Sequence, residues 1–150
     1  MIRIYTDGAC KGNPGPGGWA AIIVFDDTHE ILSGGCDATT NNRMELYAVI
    51  SALRYIYRRG AEHVTIYSDS AYVVNAITKG WLNNWAASDW RRKNYNDEPI
   101  KNEDLWRIAH NYLQKLATKV KFIKVKGHSG NVYNEMADEK AVIEAKQRQC

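Results

Sequence analysis

The chain has 150 residues, 45% of them apolar and 25% charged, with a net charge of +3. That length suits one domain with a core of its own, and no apolar run approaches the roughly 18 residues a membrane span requires. Cys10, Cys36 and Cys150 form no C-x-x-C pair and cannot all pair with one another, which argues against a disulfide framework and against a cysteine-rich zinc site. In chain order, residues 2–6 alternate as a strand, and 8–18 form a turn region rich in glycine and proline. Residues 19–25 read as a buried strand, Asp26 and Asp27 as a turn, and 30–36 as a third strand, predicting an antiparallel meander. From 41 to 59 the period changes. Leu46, Val49, Ile50, Leu53, Ile56 and Tyr57 recur at helical spacing, and Gly60 ends the helix. Residues 63–68 read as a strand, 70–79 as a helix closed by Gly80, and 81–99 as an irregular, aromatic and basic segment. A helix over 103–116, a strand over 119–125 and a helix over 134–146 complete the chain. Strands alternating with helices in the second half predict parallel pairing there, hence an α/β domain over 1–150 with a mixed sheet.

The charge is unevenly placed. Between 79 and 126, eleven Lys/Arg stand against five Asp/Glu, whereas the remainder has nine against twelve. A basic segment on an otherwise acidic chain suits a polyanion gripped at one place and processed at another, and equally a solvated helical face. Arg3 and Asp7 so near the first residue do not fit a signal peptide. With the scattered cysteines they predict a cytoplasmic protein.

The chemistry is expected in the carboxylates. Asp7 ends the first strand, Asp69 ends the fourth, Glu45 lies in the first turn of the long helix and Asp138 in the last helix. If the first and fourth strands pair in parallel, Asp7 and Asp69 share one sheet edge, at the carboxyl ends where α/β sheets place ligands. Clustered carboxylates raise one another's pKa unless a cation compensates. Hard oxygen donors without cysteine or paired histidine select Mg²⁺ or Mn²⁺ rather than zinc. Two such ions roughly 4 Å apart would activate water and stabilise the leaving oxygen of a phosphodiester. Each acid alone also fits a turn former or a helix cap.

Local sequence decides between those readings. Residues 5–18 (YTDGACKGNPGPGG), 39–46 (TTNNRMEL), 68–70 (SDS), 125–130 (VKGHSG) and 134–138 (NEMAD) resemble, in order, the signature blocks of type 1 ribonuclease H. The resemblance implies a ribonuclease H-like α/β fold: a five-stranded mixed sheet, three antiparallel then two parallel strands, flanked by helices. It implies an endoribonuclease that hydrolyses the RNA strand of RNA/DNA hybrids, leaving 3′-hydroxyl and 5′-phosphate ends. Asp7, Glu45, Asp69 and Asp138 match the metal-binding acids of that family, for two Mg²⁺ ions with Mn²⁺ as a substitute. His128, between Gly127 and Ser129-Gly130, matches a mobile histidine that assists proton transfer and product departure. Asn13, Thr40, Asn42 and Asn84 match positions that hold sugar and phosphate, and Asn134 is grouped with these substrate contacts. Gly8, Asn41 and Glu45 are candidates for reading the ribose 2′-hydroxyl, without which RNA is not told from DNA. Trp81 and Trp85, with Trp90 to Lys93, look like the basic protrusion of bacterial-type members, which grips the DNA strand; their helical spacing equally suits core residues.

The sequence departs from the family at Ala86-Ala87, where relatives carry lysines, and at Ala71, where many place a glutamine facing the substrate. Residues 15–20 formally fit G-x-G-x-x-A, but a strand run follows them instead of a helix, and no P-loop is present. Two alternatives remain at this stage. One is another metal nuclease of resolvase or transposase type; the other is a catalytically silent hybrid-binding module, whose sign would be loss of one acid. The expected partner is an RNA/DNA hybrid and the expected state a monomer.

Overall fold

The computed structural model describes residues 1–91, 99–127 and 130–147. Strands β1 (Ile2–Cys10), β2 (Gly15–Val24) and β3 (His29–Thr39) form the meander. They are followed by α1 (Asn41–Arg59), β4 (Val64–Ser68), α2 (Ala71–Thr78), α3 (Trp81–Ala87), α4 (Glu103–Leu116), β5 (Val120–Lys124) and α5 (Val132–Gln147). The sheet order is β3-β2-β1-β4-β5, antiparallel across the first three strands and parallel from β1 through β4 to β5. This is the mixed sheet that the sequence predicts.

Both faces of the sheet are covered because both carry apolar side chains. Successive strand residues point to opposite faces. Ile4, Ala21 and Ile23 pack with Leu46, Val49, Leu53 and Ile56 of α1, while Tyr5, Ile22 and Val24 pack with Ala137 of α5. Helix α1 begins where the Thr40 hydroxyl accepts from the Arg43 N–H, and stops where Gly60 turns left-handed at φ 69°. Helix α5 lies close to the sheet because its buried face is Ala137, Ala141 and Ala145. Opposite them, β2 offers Gly18, where a Cβ would stand 2.6 Å from the Ala145 nitrogen and nearer still to the Ala141 carbonyl oxygen.

Three sequence expectations are corrected. The glycine-rich stretch is mostly strand: β1 runs on to Cys10 and β2 starts at Gly15, leaving only 11–14 as the turn. Gly8, Gly17 and Gly18 are there because backbone or side chains approach too closely for a Cβ. Second, the segment after Gly80 is not wholly irregular, since α3 occupies Trp81–Ala87. Burial of Leu82 and an edge-to-face contact of Trp85 with Trp106 at 5.7 Å hold this short helix in place of intrinsic propensity. Arg92 and Lys93 lie outside the described residues. Third, α5 starts at Val132, because Asn131 Oδ1 accepts from the N–H groups of Tyr133 (3.0 Å) and Asn134 (3.1 Å).

The Thr39 hydroxyl is buried without a hydrogen-bond partner among the described residues. Thr39→Val keeps the shape and removes the unpaired oxygen. It is expected to raise stability by about 1 kcal/mol, read as a higher midpoint in urea with an unchanged m-value.

Candidate active site

Strands β1 and β4 run parallel with Thr6 opposite Ser68, so Asp7 lies beside Asp69 at the edge where β4 ends; Asp69 is the first residue past β4, whereas Asp7 does not end its strand as expected but stays within β1, paired with Ala20. Helix α1 crosses that edge at close range only because residue 8 is glycine. A Cβ there would stand 2.5 Å from the Met44 carbonyl carbon and closer to the Glu45 nitrogen. The approach brings two carboxylates onto one donor: the Gly8 N–H donates to Asp7 Oδ1 at 2.8 Å and to Glu45 Oε1 at 2.7 Å. Asp7, Glu45 and Asp69 each present an oxygen, and these oxygens lie within 4.8 Å of one another. Asp138, projected from α5 one residue after the buried Ala137, lines the same cleft of 400 Å³ but is not part of that tight trio. Its charge nonetheless reaches Asp7.

Such a cluster is electrostatically costly. Burial, with the charges of Asp69 and Asp138, pushes the Asp7 carboxyl up to about 6, against the relief given by hydrogen bonding. Glu45, more deeply buried and facing Asp7, is raised well above the ordinary range, chiefly by desolvation. Both groups hold protons more tightly folded than unfolded, so their contribution to stability is complete below about pH 4 and is lost as pH rises through 6 and beyond. In EDTA, thermal midpoints measured from pH 4 to 8 are therefore expected to carry a downward contribution that Asp7→Asn reduces. Added Mg²⁺ should offset it by binding the ionised form.

The donor set fits a hard divalent cation. All three close donors are carboxylates, and Glu45 Oε2 is buried with no hydrogen-bond partner among the described residues. An orphaned buried carboxylate oxygen is expensive unless a cation or proton meets it.

A family model described as RNase H matches residues 1–146. The chain belongs to the RNase H family. It is 50% identical over 140 residues to a Ribonuclease H of Syntrophomonas wolfei subsp. wolfei, covering 93% of this chain and 92% of that one. It is 45% identical over 150 residues to a Ribonuclease H of Thermoanaerobacter sp. (strain X514), covering 97% and 90%. Among solved structures it is similar to LC9-RNase H1, a type 1 RNase H with the type 2 active-site motif. That match has a TM-score of 0.83 and 32% identity, over 99% of this chain and 73% of the other. LC11-RNase H1 in complex with an RNA/DNA hybrid shares the fold at a TM-score of 0.74 and 22% identity, over 98% of each chain.

The other residues singled out for an RNase H site are distributed as follows. Gly8, Asn41 and Asn42 line the carboxylate cleft. Asn13 Oδ1 accepts from the Asn41 N–H at 3.1 Å, and Thr40 caps α1 through its hydroxyl. Both therefore hold the first turn of α1. Asn134 is buried near the start of α5. On α3, Asn84 is exposed and Trp81 is 40% exposed, whereas Trp85 is half-buried against Trp106. Trp85 thus packs against the core while part of its surface stays exposed. His128 lies outside the described residues. Gly127, just before it, sits beside Asp69, with its Cβ position 3.2 Å from Oδ2.

Sequence reasoning missed two supports. Tyr72 lines the cleft, and its hydroxyl accepts from Asn102 Nδ2 (3.1 Å) and Trp106 Nε1 (2.8 Å). Arg43, inside the block that carries Glu45, donates to both carboxylate oxygens of Asp104 (3.0 and 2.7 Å) and to Asn102 Oδ1 (3.2 Å), tying α1 to α4. Arg43 stands in a recognised block, but nothing in the sequence names partners some sixty positions away.

Proposed function

We propose that this chain is a divalent-metal-dependent endoribonuclease that hydrolyses the RNA strand of RNA/DNA hybrids, leaving 3′-hydroxyl and 5′-phosphate ends. The observation that carries this reading is the convergence of Asp7, Glu45 and Asp69 in a chain of the RNase H family, with one Glu45 oxygen unpartnered among the described residues. Asp7 and Asp69 would be the principal ligands of Mg²⁺, with Mn²⁺ as a substitute, Glu45 a further ligand facing the ribose, and Asp138 the acid completing a two-ion site. The bound ions would supply activation of the attacking water and neutralisation of charge at the leaving oxygen. The Gly8 N–H holds the Asp7 and Glu45 carboxylates in fixed orientation, so no reorganisation is needed when substrate arrives. Asn41 and Asn42, at the N-terminal turn of α1, offer amides to ribose and phosphate oxygens. Asn13 keeps its Nδ2 for the same task while its Oδ1 holds Asn41. Asn84 and Trp81 on α3 would meet the DNA strand, and Asn134 supports the substrate side of α5. His128 would take up or deliver a proton as product leaves.

Residues 1–150 act in this reading as one catalytic domain, monomeric and cytoplasmic. Among the described residues no helix is long and apolar enough to cross a membrane. The test incubates one RNA sequence single-stranded, paired with RNA and paired with DNA, each with Mg²⁺, Mn²⁺ or EDTA. Metal-dependent cuts confined to RNA in the hybrid are expected. Binding without cutting under both metals would reduce the carboxylates to a binding role.

A further inference from the structure

Helix α5 lies over β1, β2 and β3, so on its side of the sheet β4 and β5 have no helix packed along them among the described residues. Pairing and strand alternation set out that open face in three rows. Arg3, Thr65 and Lys121 form the first, Tyr5, Tyr67 and Ile123 the second, and Asp7 with its neighbour Asp69 the third, at the carboxylate cleft. In the second row the Tyr5 and Tyr67 rings stack at 4.6 Å and 9°, Tyr67 is half-buried, and Ile123 is 39% exposed. In the first row the Arg3 guanidinium stands 6.0 Å from the Tyr5 ring centroid and 5.8 Å from that of Tyr133, and it donates to the Tyr5 hydroxyl at 3.2 Å. Neither Arg3 nor the exposed Lys121 makes an ion pair among the described residues, whereas Lys119, just before β5, is met by Glu62 at 3.7 Å. Lysine on an edge strand also discourages pairing with another sheet. That role leaves Arg3, on the central strand, and the exposed Ile123 unexplained.

We propose that this face holds an unpaired RNA segment continuous with the strand cut in the cleft, one base lying against Tyr67 and Ile123 and backbone phosphates meeting Arg3 and Lys121. This rests on the nuclease reading above and names its substrate more closely, as a hybrid whose RNA runs on single-stranded. The first and third rows are four residues apart on β1, about 13 Å, so RNA leaving the cleft reaches both cations within a few nucleotides. Aromatic and apolar side chains accept any base, and the cations supply a grip that weakens with salt. A duplex keeps its bases stacked inward and would leave the apolar row uncovered, which favours a single strand. A second copy of the chain is disfavoured as occupant. Antiparallel pairing of β5 with itself, with Phe122 opposite Ile123, sets Lys121 opposite Lys124 twice, and like charges so placed repel.

The test titrates the full chain, in Ca²⁺ at low and high salt, into labelled RNA/DNA hybrids and reads fluorescence anisotropy. A blunt hybrid is compared with the same hybrid carrying a uridine tail at the 5′ or the 3′ end of its RNA strand, an abasic tail in the same places, or a thymidine tail on its DNA strand. A uridine tail at one end is expected to tighten binding by at least about fivefold at low salt and by less at high salt. The abasic and DNA-strand tails should add little. A Lys121→Ser/Ile123→Ser variant should lose the gain while binding and cleaving the blunt hybrid like wild type, which also shows that it is folded. Arg58→Ser/Lys115→Ser, which removes two cations from α1 and α4 on the other side of the sheet, should keep it. No gain from either RNA tail, an equal gain from abasic or DNA-strand tails, or a gain that survives in the Lys121/Ile123 variant would each overturn the proposal. An aspartate peptide of equal charge that binds as tightly as the tailed hybrid's gain implies, and responds to the same variant, would make the face a protein-docking surface and overturn it too. Cleavage of the blunt hybrid in Mg²⁺ is read alongside: its absence sinks the nuclease reading, whereas cleavage without a tail effect sinks only the RNA-tail site.

Discussion

Asp69→Asn is expected to lower hybrid cleavage by about a thousandfold or more while leaving hybrid affinity within a few-fold of wild type. The amide occupies the same volume beside Asp7, so the cleft keeps its shape. What is lost is one anionic group from a trio whose oxygens lie within 4.8 Å of one another, in the reading proposed here a metal ligand. Removing a ligand charge withdraws several kcal/mol of transition-state stabilisation, which converts to that factor in rate. Affinity is expected to rest mainly on phosphate and sugar contacts elsewhere and should persist. Stability should move in the opposite direction. In EDTA, neutralising Asp69 removes one of the charges that raise the Asp7 carboxyl, so the thermal midpoint should rise above that of wild type. Single-turnover cleavage, hybrid binding in Ca²⁺ and thermal unfolding in EDTA together check the assignment. A variant that cleaves within tenfold of wild type would remove Asp69 from the metal site.

Gly18→Ala carries the largest expected effect on the fold, a loss of about 3 kcal/mol, or roughly 10 °C in unfolding midpoint. The added methyl would stand 2.6 Å from the Ala145 nitrogen and nearer still to the Ala141 carbonyl oxygen. Both are backbone atoms of α5, which cannot swing aside as a side-chain tip would. Helix α5 must then move off β2 and take Asp138 away from the cleft. Cleavage should consequently fall more than the unfolded fraction alone accounts for, a difference visible when rates are compared well below the melting transition. Gly60→Ala is the control of another kind. Its Cβ would meet nothing within 4 Å, so only the left-handed backbone at φ 69° opposes it, at a smaller cost.

The contrast between those glycines shows why the site was only partly legible. Gly60 announced itself through local grammar, as a helix stop after a periodic run. Gly8, Gly17 and Gly18 read as a turn, because glycine near proline usually marks one. Their actual reason is contact with α1, with Thr39 and with α5, which no local window contains. Trp85 is similar. Its spacing from Trp81 suited core and ligand surface equally, and only the fold shows that it meets Trp106, twenty-one positions on, edge to face.

The sequence alone determined the order and type of nearly all the elements and the family, and singled out the four acids as candidates, because periodicity, caps and signature blocks are local properties of a chain. It also set the condition on which the site depends, that the first and fourth strands pair in parallel. Tertiary structure alone decided that Asp7, Glu45 and Asp69 converge while Asp138 stands slightly apart, that Arg43 binds Asp104, and that Arg3 and Lys121 share one open face of the sheet. These are matters of register and of helix-to-sheet distance. They arise from where backbones can approach, and that is set by packing among residues far apart in the chain.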